Sequence, residues 1–218
     1  MRKVTLSFDN GPSEATAQVL DCLLQHDVRA SFFVLGEKLS DPSNMALVMR
    51  AAEEGHWIGN HTFTHTTPLG DLDVKSAVWE FEQTERFLEP LRLKEKLFRP
   101  YGRGGGLGRN LLHPAVVEKL RENSYSCVLW NSVPGDWLNP KTWVQAAMSD
   151  CRTRDWSLVV LHDLPTRAMD RLDDFIERLK QEDFQLTQEF PDDCVPIRNG
   201  RIVRGIDTYL PNSLPESV

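Results

Sequence analysis

The feature that most constrains this 218-residue chain is a repeated alternation. A short apolar run is followed by a polar cluster, and then by an amphipathic segment. Residues 4–8, 30–35, 57–59, 97–99, 125–130, 157–161 and 184–186 are short runs with the β-branched and aromatic content of strands. Residues 14–25, 42–54, 75–88, 114–122 and 170–181 show helical periodicity between them. Asp41-Pro42 pairs a capping residue with a first-turn proline, and Asn139-Pro140 repeats the signal ahead of a helix running to about residue 151. Repeating β-α units imply an α/β fold with a parallel sheet of about seven strands and right-handed crossovers. At this length the alternation fits an open doubly wound sheet or a slightly short barrel. No Pro/Gly/Ser-rich linker divides the chain, so residues 1–218 read as one domain. Its proline-containing tail, from about residue 191, is expected to wrap the surface.

Charge narrows the partners. Lys and Arg number 25 against 32 Asp and Glu, a net charge of −7. A chain without a basic excess is a poor match for nucleic acid or for an anionic membrane surface. No apolar run approaches the ~18 residues of a membrane span. The start, Met1-Arg2-Lys3 before the apolar run 4–8, is too short for a signal-peptide core and lacks a small-residue cleavage site. The expected location is therefore cytoplasmic. Cys22, Cys127, Cys151 and Cys194 form no C-x-x-C pair and read as free thiols in a reducing compartment. Nothing in the sequence sets an oligomeric state.

Five polar clusters sit just after the expected strands, the end at which parallel α/β folds build their sites. The first, Asp9-Asn10-Gly11-Pro12, carries a carboxylate, although the same residues make a good turn. The second holds His61 and His65, four residues apart; on a helical turn the pair would point one way and bind one metal ion. The third begins at Arg99 and runs through Tyr101 into a glycine-rich stretch, residues 102–108. That stretch matches neither phosphate-binding glycine pattern and reads as a flexible loop over a site. Arg99 can pair with a carboxylate. The fourth is Asp136-Trp137, uninformative alone. The fifth is Leu161-His162-Asp163, where a histidine leaving a buried strand is placed for acid–base work near neutral pH. Together, two histidines with an acid, plus a second acid and a separate histidine, make the parts list of metal-assisted hydrolysis.

The order of these clusters, from Asp9 to Asp163, resembles the polysaccharide deacetylases, carbohydrate esterases that include chitooligosaccharide and peptidoglycan deacetylases. The resemblance implies a distorted (β/α) barrel of about seven strands. It implies removal of an N-acetyl, sometimes O-acetyl, group from a sugar. By resemblance, Asp9 is the general base, His162 the general acid, Arg99 the residue that orients the base, and Asp136 the residue that tunes the acid. Tyr101 lends a backbone amide to the oxyanion, while Trp137 and Leu161 line the acetyl pocket. His61, His65 and Asn10 take the ligand positions for a divalent metal, Zn²⁺ being the expected ion. Two departures stand out. The family has a second acid where this chain has Asn10, and an amide attracts a dication less than a carboxylate does. The Arg99-Pro100-Tyr101-Gly102 stretch is one residue shorter than the usual third motif.

The expected partner is an acetylated sugar or a small oligosaccharide. Two other readings remain at this point: a non-catalytic carbohydrate-binding descendant of the fold, and a cytosolic amidohydrolase acting on a non-sugar amide. Asn10 favours the former and the leaderless start the latter.

Overall fold

The computed structural model describes residues 1–213. The alternation resolves into β1 (Lys3–Asp9), α1 (Glu14–Gln25), β2 (Ser31–Val34), α2 (Pro42–Glu53), β3 (Trp57–Asn60), α3 (Val74–Leu88), β4 (Leu97–Phe98), α4 (Pro114–Glu122), β5 (Ser126–Cys127), α5 (Trp143–Thr153), β6 (Trp156–His162), α6 (Leu172–Gln181) and β7 (Gln185–Leu186). A short antiparallel ribbon, β8 (Ile197–Arg198) and β9 (Arg201–Ile202), completes the sheet.

The sheet runs β6-β1-β2-β3-β4-β5-β8-β9, and β7 pairs with the lower end of β1. Pairings among β1–β7 are all parallel. Beyond β5, the Ser132 N–H reaches the Leu158 carbonyl at 3.2 Å, and the Val160 N–H returns to the Ser132 carbonyl at 3.0 Å. This bridge links the two ends of the parallel run and curls the sheet into a distorted barrel.

Period-two alternation divides each strand between two environments. On β1, Val4, Leu6 and Phe8 face outward into a core shared with Val19, Leu20 and Leu23 of α1, Trp143 and Met148 of α5, and Phe175, Ile176 and Leu179 of α6. Thr5, Ser7 and Asp9 face inward and are also buried. The lumen near the site end is therefore polar. A second apolar cluster, with Phe81, Phe98, Leu112 and Leu120, seats α3 and α4.

Caps explain most helix starts. Ser13 and Thr16 form a reciprocal capping box on α1, and Asp41 accepts the Ser43 N–H ahead of Pro42. The Asn139-Pro140 signal points three residues too early. The Asn139 carbonyl accepts the N–H groups of Thr142 and Trp143, so a turn precedes the first residue of α5. The stretch expected to begin α6 at residue 170 opens with a 3₁₀ turn, Ala168–Arg171, and α6 starts at Leu172.

The segment after residue 190 does more than wrap the surface. Cys194, Val195 and Ile197 are buried, and the β8–β9 ribbon pairs with the free edge of β5. All four cysteines are free. Among the described residues no helix is long and apolar enough to cross a membrane.

Candidate active site

The parallel ladder brings the strand-end residues together. Asp9 of β1 is in register with His162 of β6. One step beyond the assigned strands, the His61 N–H reaches the Val34 carbonyl at 3.0 Å, and the Arg99 N–H reaches the Asn60 carbonyl at 2.9 Å. Asp9, His61, Arg99 and His162 thus leave neighbouring strands at one end of the barrel.

Arg99 is fully buried along the lumen. Its Nη1 donates to Asp9 Oδ1 at 2.6 Å and to Ser7 Oγ at 2.8 Å. Nε donates to the Val128 carbonyl at 3.1 Å and Nη2 to the Leu129 carbonyl at 3.3 Å, while the guanidinium lies 3.9 Å from the Phe33 ring centroid. Burial pulls the arginine below its ordinary pKa, and the Asp9 carboxylate opposes that pull. The ion pair also fixes the rotation of the Asp9 carboxylate, which leaves Oδ2 3.5 Å from His61 Nε2.

His61 Nδ1 lies 2.8 Å from the Arg99 carbonyl. A carbonyl only accepts, so Nδ1 carries the proton and Nε2 presents a lone pair. The His65 ring centroid is 4.8 Å from that of His61 and 3.9 Å from that of Tyr101. Burial lowers both histidines to about 3, with neighbouring cationic groups adding to the effect. Neutral imidazoles are the form that binds a metal ion. The helical turn expected for this pair does not form. Thr62 and His65 adopt left-handed backbone angles, φ 68° and 55°, and the segment is an irregular loop. Its two rings converge through that loop rather than through a helical i, i+4 spacing.

Asn10 also takes a left-handed conformation, φ 69°. Lys38 Nζ holds its backbone carbonyl at 2.6 Å. Its side-chain Oδ1 is buried and has no hydrogen-bond partner. A buried, unsatisfied oxygen is costly unless something else fills its lone pairs. Two neutral imidazoles and one orphaned amide oxygen form a donor set that fits a divalent cation of the zinc type.

On the strand next to Asp9, His162 is held by Asp136. The carboxylate lies 2.9 Å from the ring Nδ1 and 2.9 Å from the backbone N–H. Burial disfavours the imidazolium, but the Asp136 hydrogen bond and charge outweigh it, with Asp9 and Asp163 adding, and the net shift is upward. The Trp137 ring meets the imidazole edge-on at 4.6 Å.

These groups surround a pocket of about 220 Å³. Asp9, Asn10, His61, His65, Tyr101, Trp137 and His162 line it, while Arg99 and Asp136 stand behind, fully buried. Leu161 requires a correction. It alternates away from His162, is fully buried, and belongs to the outer core with α5 and α6. Val160, two residues before His162 on the same face, lines the pocket instead, together with Leu164. Strand alternation was the signal that could have named Val160.

The glycine-rich loop also lines the pocket, through Gly102, Gly104 and Gly105, and Trp130 Nε1 donates to the Gly105 carbonyl at 2.9 Å. A Cβ on Gly102 would lie 2.5 Å from the Trp130 ring. The loop is thus docked on Trp130, which the sequence reading did not single out. A larger groove of about 430 Å³, between α3 and α4, contains none of the strand-end residues. Among the described residues, Cys22, His26 and Asp173 bring three ligand atoms within 4.8 Å of one another, outside this pocket. There His26 is bonded to Asp173 at 2.8 Å, with the Lys180 ammonium 3.3 Å from its other nitrogen, and that ammonium opposes a cation.

The chain is similar to known proteins in sequence and fold. The family model described as polysaccharide deacetylase matches residues 1–112. A peptidoglycan-N-acetylglucosamine deacetylase of Bacillus cereus is 33% identical over 165 residues, covering 73% of this chain and 72% of that protein. The peptidoglycan-N-acetylmuramic acid deacetylase PdaC of Bacillus subtilis is 30% identical over 190 residues, covering 84% of this chain but 37% of that longer protein. Among solved structures, a family 4 acetyl xylan esterase from Clostridium thermocellum in complex with a cobalt ion superposes with a TM-score of 0.70 at 25% identity, covering 86% of this chain and 88% of that one.

Proposed function

The chain belongs to the polysaccharide deacetylase family, and from that premise we propose that it is a metal-assisted hydrolase that removes the acetyl group from an N-acetylated sugar, Asp9 serving as base and His162 as acid. The observation that carries the reading is a pair of neighbouring groups, each held by its own partner. Asp9 is locked by Arg99, and His162, its register partner on the adjacent strand, is held by Asp136. Acyl transfer from nitrogen needs both a proton acceptor for the attacking water and a proton donor for the leaving amine.

A divalent ion, most simply Zn²⁺, would be held by His61, His65 and Asn10 and would supply Lewis-acid polarisation of the acetyl carbonyl and the water. The chain's own groups do the rest. Asp9 takes a proton from the water as its oxygen bonds the carbonyl carbon. The backbone amide of Tyr101 is assigned to the developing oxyanion. His162, protonated through the support of Asp136, gives its proton to the amine nitrogen as the carbon–nitrogen bond breaks. Acetate and a free amino sugar leave. Val160, Leu164 and Trp137 offer the apolar surface for the acetyl methyl.

The substrate reading is an acetylated sugar or short oligosaccharide, consistent with a pocket of this size and with the acetylated carbohydrates named for the relatives. Four free thiols support a reducing, cytoplasmic setting and hence a small soluble substrate. A purely binding role would leave the buried Asp9–Arg99 and Asp136–His162 pairs without chemical work. The test is metal analysis of purified protein combined with acetate release from short acetylated oligosaccharides. Wild type should release acetate and His162→Ala should not, while both keep the same circular dichroism; equal release by both would overturn the assignment.

A further inference from the structure

Residues 61–66 connect two candidate metal ligands without regular structure, so their peptide N–H groups need partners from elsewhere. Glu80, on α3, supplies them. Its Oε2 accepts the N–H groups of both Phe63 and Thr64 at 2.8 Å, and its Oε1 accepts the Thr64 hydroxyl at 2.5 Å. Glu80 is only 8% exposed, and among the described residues it forms no ion pair within 4.0 Å. A buried carboxylate with no cation beside it is satisfied here wholly by the loop it holds. Burying such a group carries a desolvation cost that ordinary loop packing would not require.

The rest of the loop is tied down at its edges. Asn60, just before His61, accepts the Thr62 N–H at 2.8 Å through its side-chain oxygen. Its amide nitrogen donates to the Phe81 carbonyl at 3.0 Å and to Glu85 at 2.6 Å, again on α3. From the other side, the Gly36 and Glu37 N–H groups reach the Thr62 and Phe63 carbonyls at 3.1 Å each. Left-handed residues at Thr62 and His65 bracket the two peptides that Glu80 grips. Such conformations persist where the surroundings over-determine them.

We infer that Glu80 is a positioning residue for the His61/His65 pair: its carboxylate shapes the loop that sends both imidazoles into the pocket before any metal arrives. This deepens the deacetylase reading and rests on it for the metal-ligand role of the histidines. Outer partners that orient metal ligands typically change metal affinity by about 10–100-fold when removed.

The test compares Glu80→Ala, Glu80→Gln and, as a control, Glu82→Gln, a half-exposed neighbour paired with Lys119. Zn²⁺ affinity of the folded proteins is measured by calorimetry, and amide exchange at Phe63 and Thr64 by NMR on metal-free protein. Glu80→Ala should weaken zinc by about 10–100-fold and speed exchange at both amides. Glu80→Gln should fall between, because an amide keeps one acceptor oxygen, and the control should match wild type on both. A folded Glu80→Ala with wild-type zinc affinity would reduce Glu80 to loop stability and overturn the proposal. If Glu80→Ala does not fold, wild-type affinity and exchange in Glu80→Gln overturn it. A wild type that takes up no divalent ion sinks the metal reading itself, and exchange alone then decides whether Glu80 shapes the loop.

Discussion

Asp136 grips His162 twice, one carboxylate oxygen 2.9 Å from the ring Nδ1 and the other 2.9 Å from the backbone N–H. The bidentate hold fixes the direction of the ring and favours its protonated form. An imidazole acting as general acid must be protonated, so activity is lost as pH rises through its folded-state pKa, which Asp136 raises. Asp136→Asn removes the charge. The alkaline limb of the kcat profile should move to lower pH, with KM little changed. A limb that stays in place takes His162 out of the proton transfer.

Asn10→Asp tests the ligand departure. The new carboxylate would sit where a buried amide oxygen has no partner, with Lys38 close by on the Asn10 carbonyl. Zinc affinity should rise by about tenfold or more, since each ~1.4 kcal/mol of added attraction is a factor of ten. Unchanged affinity in calorimetry would place the side chain away from the ion.

Arg99 cannot be exchanged for another cation without loss. Lysine lacks the fork that reaches Asp9, Ser7 and the Val128 and Leu129 carbonyls together. Arg99→Lys should fold but lose roughly 100-fold in kcat, the scale of a misplaced reacting group. Arg99→Met strands a buried Asp9 charge and should cost about 3–5 kcal/mol in urea unfolding. Near-wild-type stability for Arg99→Met would mean the pair is better solvated than its burial implies.

Asp163 gives a stability signature. Burial raises it to about 7, against the pull of its Thr16 hydrogen bond. The folded state therefore holds a proton that the unfolded state releases near pH 4. Stability from this group is present at low pH and fades as pH rises to about 7, by at most ~4 kcal/mol. Asp163→Asn has no such proton. The stability of the variant minus that of wild type, from urea titrations at pH 5 and pH 8, should be larger at pH 8. Parallel pH profiles would sink the idea.

Local chemistry made much of the fold legible. The bounds of α1 and α4 match the sequence reading, because a capping residue and a clear apolar stripe mark each start. Failures came where distant residues decide. The His61–His65 segment has helical spacing, yet Glu80 and Asn60 take its N–H groups, and the Gly36 and Glu37 N–H groups take its carbonyls. The tail looked superficial because nothing local says that Ile197 will pair with Cys127 across an open edge. Within the candidate site, the charged and aromatic residues named from the sequence line one pocket or stand directly behind it. Leu161 faces the outer core, away from the pocket, and Trp130 is not legible from sequence because its contact is with a glycine loop 25 residues earlier in the chain.

The register of β1 against β6 has a consequence for how such a scaffold diversifies. Asp9 and His162 are cross-strand partners in one ladder, so the gap between the assigned base and acid is inherited from backbone geometry. No loop insertion, however long, can widen it without unzipping β1 from β6. Variation in what is cleaved is thereby confined to the mouth, where residues 102–108 and the turn around Trp137 can be rewritten while the proton path beneath them stays the same length.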